Sequence, residues 1–261
     1  MSFKKIILNL GFLVVVISSL IYLYDTKDKI STKLNSIFSN TNQSDTFVSD
    51  YNHQEELDKK NYEWAKKIMK GGYILSFRHA EREKWIDVVM YDLLDSHIHN
   101  KGEDQTRFPE NDYFSKAVCL NDRGIVQANA MAEFVNNINI PIGYIITSTS
   151  CRARQTADIV FGGYDEMKTI LVHKGPYKEN EKKRVEKLKN LYLSLPIITG
   201  KNTVVSAHNS VVHQGMFENF IQEELFLEEG GFYVISKKNG KLRLEHKFFT
   251  FSEFSKNFYK R

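Results

Sequence analysis

Apolar and polar positions along the chain fall into three regimes. From Ile6 to Tyr24 the residues are apolar except for Asn9, Gly11, Ser18 and Ser19. A helix needs roughly 20 such residues to cross a bilayer core, and this stretch is just long enough. Ile17-Ser18-Ser19 makes a poor cleavage site and Leu20 to Tyr24 continue the apolar run, so residues 1–24 read as an uncleaved membrane anchor rather than a signal peptide. From Asp25 to about His53, Ser, Thr, Asn, Asp, Gln and Lys predominate and apolar residues are scattered. Such a stretch buries too little surface to fold alone, and residues 25–54 read as a flexible stalk. From Glu55 onward the pattern becomes periodic, which sets a folded domain over residues 55–261.

Within that domain, Leu57, Tyr62, Trp64, Ala65, Ile68 and Met69 predict an amphipathic helix that stops at Gly71-Gly72. Strand-like and helix-like segments then alternate. Strands are expected at Tyr73–Phe77, Tyr144–Thr147, Thr169–Val172 and Thr203–Ser206. Helices are expected from Asn121 as cap to about Asn137, and over Cys151–Phe161, Glu179–Leu193 and Ser210–Glu223. This is the alternation of βαβ units, and it predicts an α/β fold with a mostly parallel sheet. Phe232–Ser236 and Leu242–Phe248, separated by Lys238-Asn239-Gly240, read as a terminal hairpin. Between Glu81 and Val118 the periodicity fades into a long polar loop, the candidate for substrate selection.

Charge and cysteine content add little. The net charge of +4 is modest, and Lys182, Lys183, Arg184, Lys187 and Lys189 alternate with Glu179, Glu181 and Glu186 as on a solvated helix face. No basic stripe with interleaved aromatics points to nucleic acid. Lys4 and Lys5 ahead of the apolar segment are set against Lys27, Lys29 and Lys33 behind it. The short N-terminal tail resembles a signal anchor, which predicts an extracytoplasmic domain on a bacterial inner membrane. Cys119 and Cys151 are too few for a disulfide scaffold and lack metal-ligand spacing. In an extracytoplasmic compartment they could pair.

Candidate chemistry sits at strand ends. Gly72-Tyr-Ile-Leu-Ser-Phe77 leads into Arg78-His79, and Asn202-Thr-Val-Val-Ser-Ala207 leads into His208. In open α/β sheets ligands bind outside the carboxyl ends of the strands, so the two imidazoles are expected in one crevice. A histidine with one ring nitrogen held by a hydrogen bond can attack with the other. Arginine binds phosphate through planar, bidentate hydrogen bonds. Ser148-Thr-Ser-Cys-Arg152-Ala-Arg-Gln-Thr-Ala157 follows a strand and opens a helix, which sets Arg152 at a helix N-terminus, favourable for anions. His97-Ile98-His99 with Asp92, Asp95 or Asp104 has ligand-like spacing but reads as a polar surface loop, and no metal site is predicted. His213 reads as structural.

Arg78-His79, Leu120-Asn-Asp-Arg-Gly-Ile-Val-Gln-Ala128, Ser148–Ala157 and His208, in this order, resemble the motifs of the histidine phosphatase superfamily. The resemblance implies a three-layer α/β/α, phosphoglycerate-mutase-like fold. It implies His79 as the phosphoryl-accepting nucleophile, with Arg78, Arg152 and His208 neutralising the phosphate. It implies neither a metal nor an organic cofactor. The expected partner is a phosphorylated small molecule, glycan or phosphoprotein. Arg78-His-Ala-Glu-Arg82 with Cys119-Leu-Asn-Asp122 and an N-terminal membrane segment is similar to phosphatases of the lipopolysaccharide core heptose phosphate.

Two departures bear on activity. Asn209 follows His208 where acid-phosphatase-like branches carry an acidic proton donor, and Leu171-Val172-His173 stands where mutase-like branches carry a glutamate. Protonating the leaving oxygen contributes ~10²–10⁴-fold, so slow turnover of simple alkyl phosphates is expected unless Glu81, Glu179, Glu181 or His173 substitutes. A phosphatase working through phosphohistidine is the leading reading. A catalytically weak, membrane-anchored phosphate-binding domain is the alternative.

Overall fold

Helix α1 runs over Gln43–Ile68 and ends before Gly71 and Gly72, whose φ angles of 72° and 95° no helix continues through. It begins inside the stretch expected as flexible stalk. The reason is local: between Gln43 and Ile68 no glycine or proline interrupts the backbone hydrogen bonds. The computed structural model describes residues 43–84, 118–172, 180–219, 221 and 224–259. The expected anchor over 1–24, the first part of the stalk and most of the polar loop lie outside the described residues. Among the described residues no helix is long and apolar enough to cross a membrane. The chain divides into two compact units, Met1–Glu56 and Leu57–Arg261; the rest of this description concerns the second.

Six strands form one sheet: β1 (Ile74–Arg78), β2 (Ile142–Ser148), β3 (Glu166–Lys168), β4 (Asn202–Ala207), β5 (Phe232–Lys238) and β6 (Lys241–Phe248), in the order β3-β2-β4-β1-β5-β6. The first four pair in parallel, β5 pairs antiparallel with β1, and β6 pairs antiparallel with β5. The sheet is therefore mixed, where a mostly parallel one was expected. The tight turn at Asn239 and Gly240, with φ of 53° and 70°, folds β6 back on β5, and β5 joins the sheet against β1. Every residue of β4 is buried, as a strand covered on both faces requires.

Helices cover both faces, giving three layers. One face packs under the end of α1, α2 (Asp122–Ile138), α3 (Cys151–Phe161) and α5 (Phe251–Phe258), through Leu75, Phe77, Met131, Val160, Phe232, Phe248 and Phe254. Phe77, Phe232, Phe248 and Phe254 form a chain of ring contacts 4.5–5.3 Å apart. Burial of each such ring contributes roughly 1.5–3 kcal/mol. The other face packs under α4 (Glu181–Ser194), through Ile74, Leu188, Tyr192, Val205 and Ile235. There the Tyr192 hydroxyl meets Ser76 Oγ at 2.7 Å, giving each buried polar atom a partner.

Three segments differ from the expected elements. The strand expected at Thr169–Val172 is displaced to β3, and Thr169–Leu171 forms a 3-10 turn that buries Leu171. The helix expected over Ser210–Glu223 does not form among its described residues. Asn209–Val211 and Gln214–Met216 are short 3-10 turns, and Phe217 bridges to Leu242 instead. Val211, Val212 and Gly215 disfavour a continuous helix there. Helix α5 was not expected, although Thr250 and Glu253 carry its capping signal. Thr250 Oγ1 accepts from the Glu253 N–H, and the Glu253 carboxylate accepts from the Phe249 N–H.

Candidate active site

The registers of the three central strands set their carboxyl ends level. Phe77 of β1 lies beside Ser206 of β4, which lies beside Thr147 of β2, and Arg78 lies beside Ala207. His79 and His208 each follow one residue beyond that last pair. Their rings come to 5.1 Å between centroids, inclined by 64°. The His79 N–H bonds the Ala207 carbonyl at 3.0 Å, which locks the two strand ends together. Arg152, on the first turn of α3, reaches between the two rings. Its Nε–H donates to His79 Nε2 at 3.1 Å and Nη2 meets His208 Nδ1 at 3.4 Å.

These contacts fix both tautomers. His79 Nδ1 lies 2.7 Å from the Ala80 carbonyl oxygen, which only accepts, so Nδ1 carries the proton and Nε2 keeps its lone pair. Burial holds the His79 pKa well below the ordinary histidine value, and the Arg152 charge adds to the effect; Arg78 and Arg82 act in the same sense. The ring is neutral and its unprotonated nitrogen is aimed at a guanidinium. In His208 the assignment is reversed. Nδ1 accepts from Arg152, so Nε2 carries the proton and donates to Ser148 Oγ at 3.2 Å, and Ser148 Oγ also takes the Ser150 N–H. Arg152 is 1% exposed, and the two imidazoles and the Val118 carbonyl at 3.3 Å are among the groups that hold it.

Arg78 is held by a different segment. Nη1 donates to the Leu227 carbonyl, Nη2 pairs with the Glu229 carboxylate, and the guanidinium carbon lies 5.5 Å from the Phe226 ring centre. Burial lowers its pKa, Glu229 and Glu228 oppose that shift, and Arg152 reinforces it. Asn209, next to His208, pairs with the Leu227 backbone in both directions. Its Nδ2 donates to the Leu227 carbonyl and its Oδ1 accepts the Leu227 N–H, each at 2.9 Å.

The remaining motif residues act as struts. Asn121 Oδ1 accepts the Gly124 N–H at 2.7 Å and caps α2. Gly124 is required by close approach: a Cβ there would stand 1.9 Å from the Glu81 carbonyl oxygen. Gln127 accepts the Glu81 N–H and donates to the Glu229 carbonyl, at 2.9 and 2.8 Å. On α3, Gln155 Oε1 accepts the Leu120 N–H, Thr156 Oγ1 accepts the Ala80 N–H, and the Ala153 carbonyl accepts from Ser206 Oγ. Cys119 and Cys151 form a disulfide with Cα atoms 4.8 Å apart, pinning the residue after Val118 to the residue before Arg152.

Of the four residues singled out from sequence, His79, Arg152 and His208 are in mutual contact, and Arg78 lies close enough for its charge to act on His79. The candidate acids fare differently. The Glu81 carboxylate pairs with Arg123 and meets Asn121 Nδ2 at 3.4 Å, and Glu181 is exposed on the first turn of α4. His173, Glu179, His97, His99, Asp92, Asp95 and Asp104 lie outside the described residues. His213 Nε2 bonds the Ser210 carbonyl at 2.7 Å, a local turn contact. Glu229 was not foreseen. Its only sequence signal is the run Glu228-Glu229-Gly230-Gly231, in which a Gly231 Cβ would stand 2.2 Å from the Phe249 carbonyl oxygen and the Gly230 N–H bonds the carbonyls of Arg78 and His79.

The family model of the histidine phosphatase superfamily (branch 1) matches residues 113–173, which hold the Leu120–Ala128 and Ser148–Ala157 motifs. The superfamily resemblance read from those motifs is borne out. No curated protein sequence matches the chain. Among solved structures, the protein histidine phosphatase SixA complexed with tungstate is 12% identical, covers 67% of this chain and 96% of its own, and has a TM-score of 0.43. Phosphoglycerate mutase from Thermus thermophilus is 13% identical, with coverages of 67% and 98% and a TM-score of 0.42. The product of open reading frame Rv3214 from Mycobacterium tuberculosis is 16% identical, with coverages of 68% and 97% and a TM-score of 0.42.

Proposed function

We propose, from the histidine phosphatase superfamily match and the contact between Arg152 and His79, that the chain is a phosphatase working through a phosphohistidine on His79. The observation that carries the reading is the tautomer of His79. Its Nδ1 proton is held by the Ala80 carbonyl, so the Nε2 lone pair is available beside the arginine that would bind the phosphoryl oxygens. In the first half-reaction Nε2 forms a bond to phosphorus as the bond to the leaving oxygen or nitrogen breaks. In the second, water adds to phosphorus, the N–P bond breaks, and inorganic phosphate and neutral His79 result. The charges of Arg78 and Arg152 neutralise the equatorial oxygens and the His208 Nε2–H donates to one of them, where such positioned groups act most strongly.

The substrate class follows from the leaving group. Asn209 carries no acidic proton and is committed to the Leu227 backbone. Phosphoramidates and phosphomonoesters whose leaving groups depart without a strong acid therefore suit this site better than alkyl phosphates. We further propose that the domain works outside the cytoplasm, tethered by residues 1–24. The apolar Ile6–Tyr24 segment supports this reading, as does the Cys119–Cys151 disulfide, a bond that persists in oxidising compartments.

The test is turnover of a panel by the purified full chain: a phosphohistidine peptide, p-nitrophenyl phosphate, a sugar phosphate and an alkyl phosphate. The expected result is hydrolysis of the first two, lost in His79→Ala. Absence of turnover with a Tm raised by orthovanadate would instead favour a phosphate-binding domain.

A further inference from the structure

We propose that Asn209 is a positioning residue that aims Arg78 at the phosphoryl group through the backbone of Leu227; this rests on the phosphatase reading above. Leu227 stands at the centre of a short relay. Its carbonyl accepts from both Asn209 Nδ2 and Arg78 Nη1, while its N–H is held by Asn209 Oδ1. A side-chain amide pairing with both polar atoms of one peptide residue fixes that residue's position and the direction of its carbonyl. Glu229, two residues on, takes Arg78 Nη2. Two acceptors from one segment set the plane of the guanidinium, and its other N–H donors are left to face an oxyanion.

The relay joins the two strand ends that make the site. Asn209 directly follows His208 at the end of β4, and Arg78 ends β1. A shift of β4 relative to segment 226–229 would turn Arg78 away from the nucleophile beside it. Leu227 is 1% exposed, so water does not readily replace Asn209 at its backbone. The position that carries the departure from the expected acid therefore has a different task. It has no proton to give, and it holds the cation that binds the phosphate.

The test is a double-mutant cycle on the full chain, read as orthovanadate affinity and as KM and kcat for p-nitrophenyl phosphate. N209A is expected to raise the vanadate Kd and the KM by roughly tenfold, the scale of a hydrogen bond to a charged group. In an R78A background the same change is expected to alter Kd by no more than about twofold, because no guanidinium remains to be aimed. A residue acting only on stability would weaken binding equally in both backgrounds, and that result would overturn the inference. So would an unchanged Kd in N209A with wild-type turnover intact. If N209A does not fold, Asn209→Asp keeps the acceptor for the Leu227 N–H and loses the donor to its carbonyl, and the same cycle is read with it. Faster hydrolysis of an alkyl phosphate by N209D, at unchanged vanadate affinity, would also overturn the inference. A wild-type chain that neither binds vanadate nor turns over substrate sinks the phosphatase reading itself, an outcome distinct from those in which Asn209 alone proves idle.

Discussion

The Nε–H of Arg152 points at His79 Nε2 across 3.1 Å. The lone pair that would attack phosphorus is already lodged against the cation that would hold the phosphoryl oxygens. The donor must turn from nitrogen to oxygen as a substrate arrives, while Nη1 and Nη2 stay on Val118 and His208. Such a contact keeps the ring oriented and unprotonated until it is needed.

Geometry as well as charge is therefore expected at this position. Arg152→Lys keeps a cation but loses the fork that reaches Val118 and both imidazoles. It is expected to lower kcat by about 10²-fold or more, the scale seen when one transition-state donor is removed. Steady-state kinetics on p-nitrophenyl phosphate checks this; activity of the Arg152→Lys variant within about threefold of wild type would count against the arrangement.

The pH profile follows from the depressed His79 pKa. A group whose folded pKa lies below its unfolded value stays in its neutral form as pH falls past that unfolded value. The acid limb of kcat/KM due to the nucleophile is thus expected well below 6.5. The profile should be measured with a substrate whose own phosphate ionisation is corrected for. A limb centred near the ordinary histidine value in the corrected profile of the wild-type chain would indicate an exposed, ordinary histidine instead.

Much of this site was legible in the chain because it depends on local rules. Short apolar runs ending in Arg78-His79 and in His208 marked strand ends, and the parallel register then brought the rings together. The Leu120–Ala128 and Ser148–Ala157 motifs resolve into a helix cap, a glycine at a close approach, and side chains that hold Glu81, Leu120 and Ala80. What was not legible depends on approach between distant segments. Glu229 meets Arg78 across 151 positions, and Asn209 acquires its partner only when Leu227, 18 positions on, returns to it. Ser210–Glu223 misled for another reason. Its apolar spacing fits a helix, but Val211, Val212 and Gly215 weaken one, and Phe217 bridges to Leu242 instead.

Reduction of the Cys119–Cys151 disulfide is expected to act on stability and on the site together. The bond closes a separation of 32 residues, which in the chain-entropy account stabilises by about 3–4 kcal/mol. Val118 and Leu120, on either side of Cys119, are bonded to Arg152 and Gln155 of α3. A dithiol reductant is therefore expected to lower Tm and weaken vanadate binding, with reoxidation restoring both. Calorimetry with and without reductant, beside a Cys119→Ser/Cys151→Ser chain, measures it. Unchanged vanadate affinity after verified reduction would show that the bond does not support Arg152.

Acid stability should carry the signature of His246. Burial pushes its pKa down to about 3, helped by Lys60, Lys67 and Lys247, and its ring stacks on Trp64 while Nε2 bonds Asn61 Oδ1 at 2.7 Å. The unfolded chain binds this proton more readily, so the contribution is present above pH 6.5 and is lost as pH falls toward 3. The loss is about 1.4 kcal/mol per pH unit for one proton. His246→Phe keeps a ring in the stack and is expected to flatten the dependence of urea-unfolding stability on pH across that window. An unaltered slope would mean that other groups govern it.

The central claim is that His79 Nε2 accepts the phosphoryl group, and trapping the intermediate tests it most directly. The full chain is mixed with a phosphohistidine peptide or p-nitrophenyl phosphate, quenched at alkaline pH within the first turnover, digested and mapped by mass spectrometry. The expected result is an acid-labile phosphoryl group on the peptide carrying His79, absent in His79→Ala. Turnover that persists in His79→Ala, or a phosphoryl group found on another residue, would contradict the account.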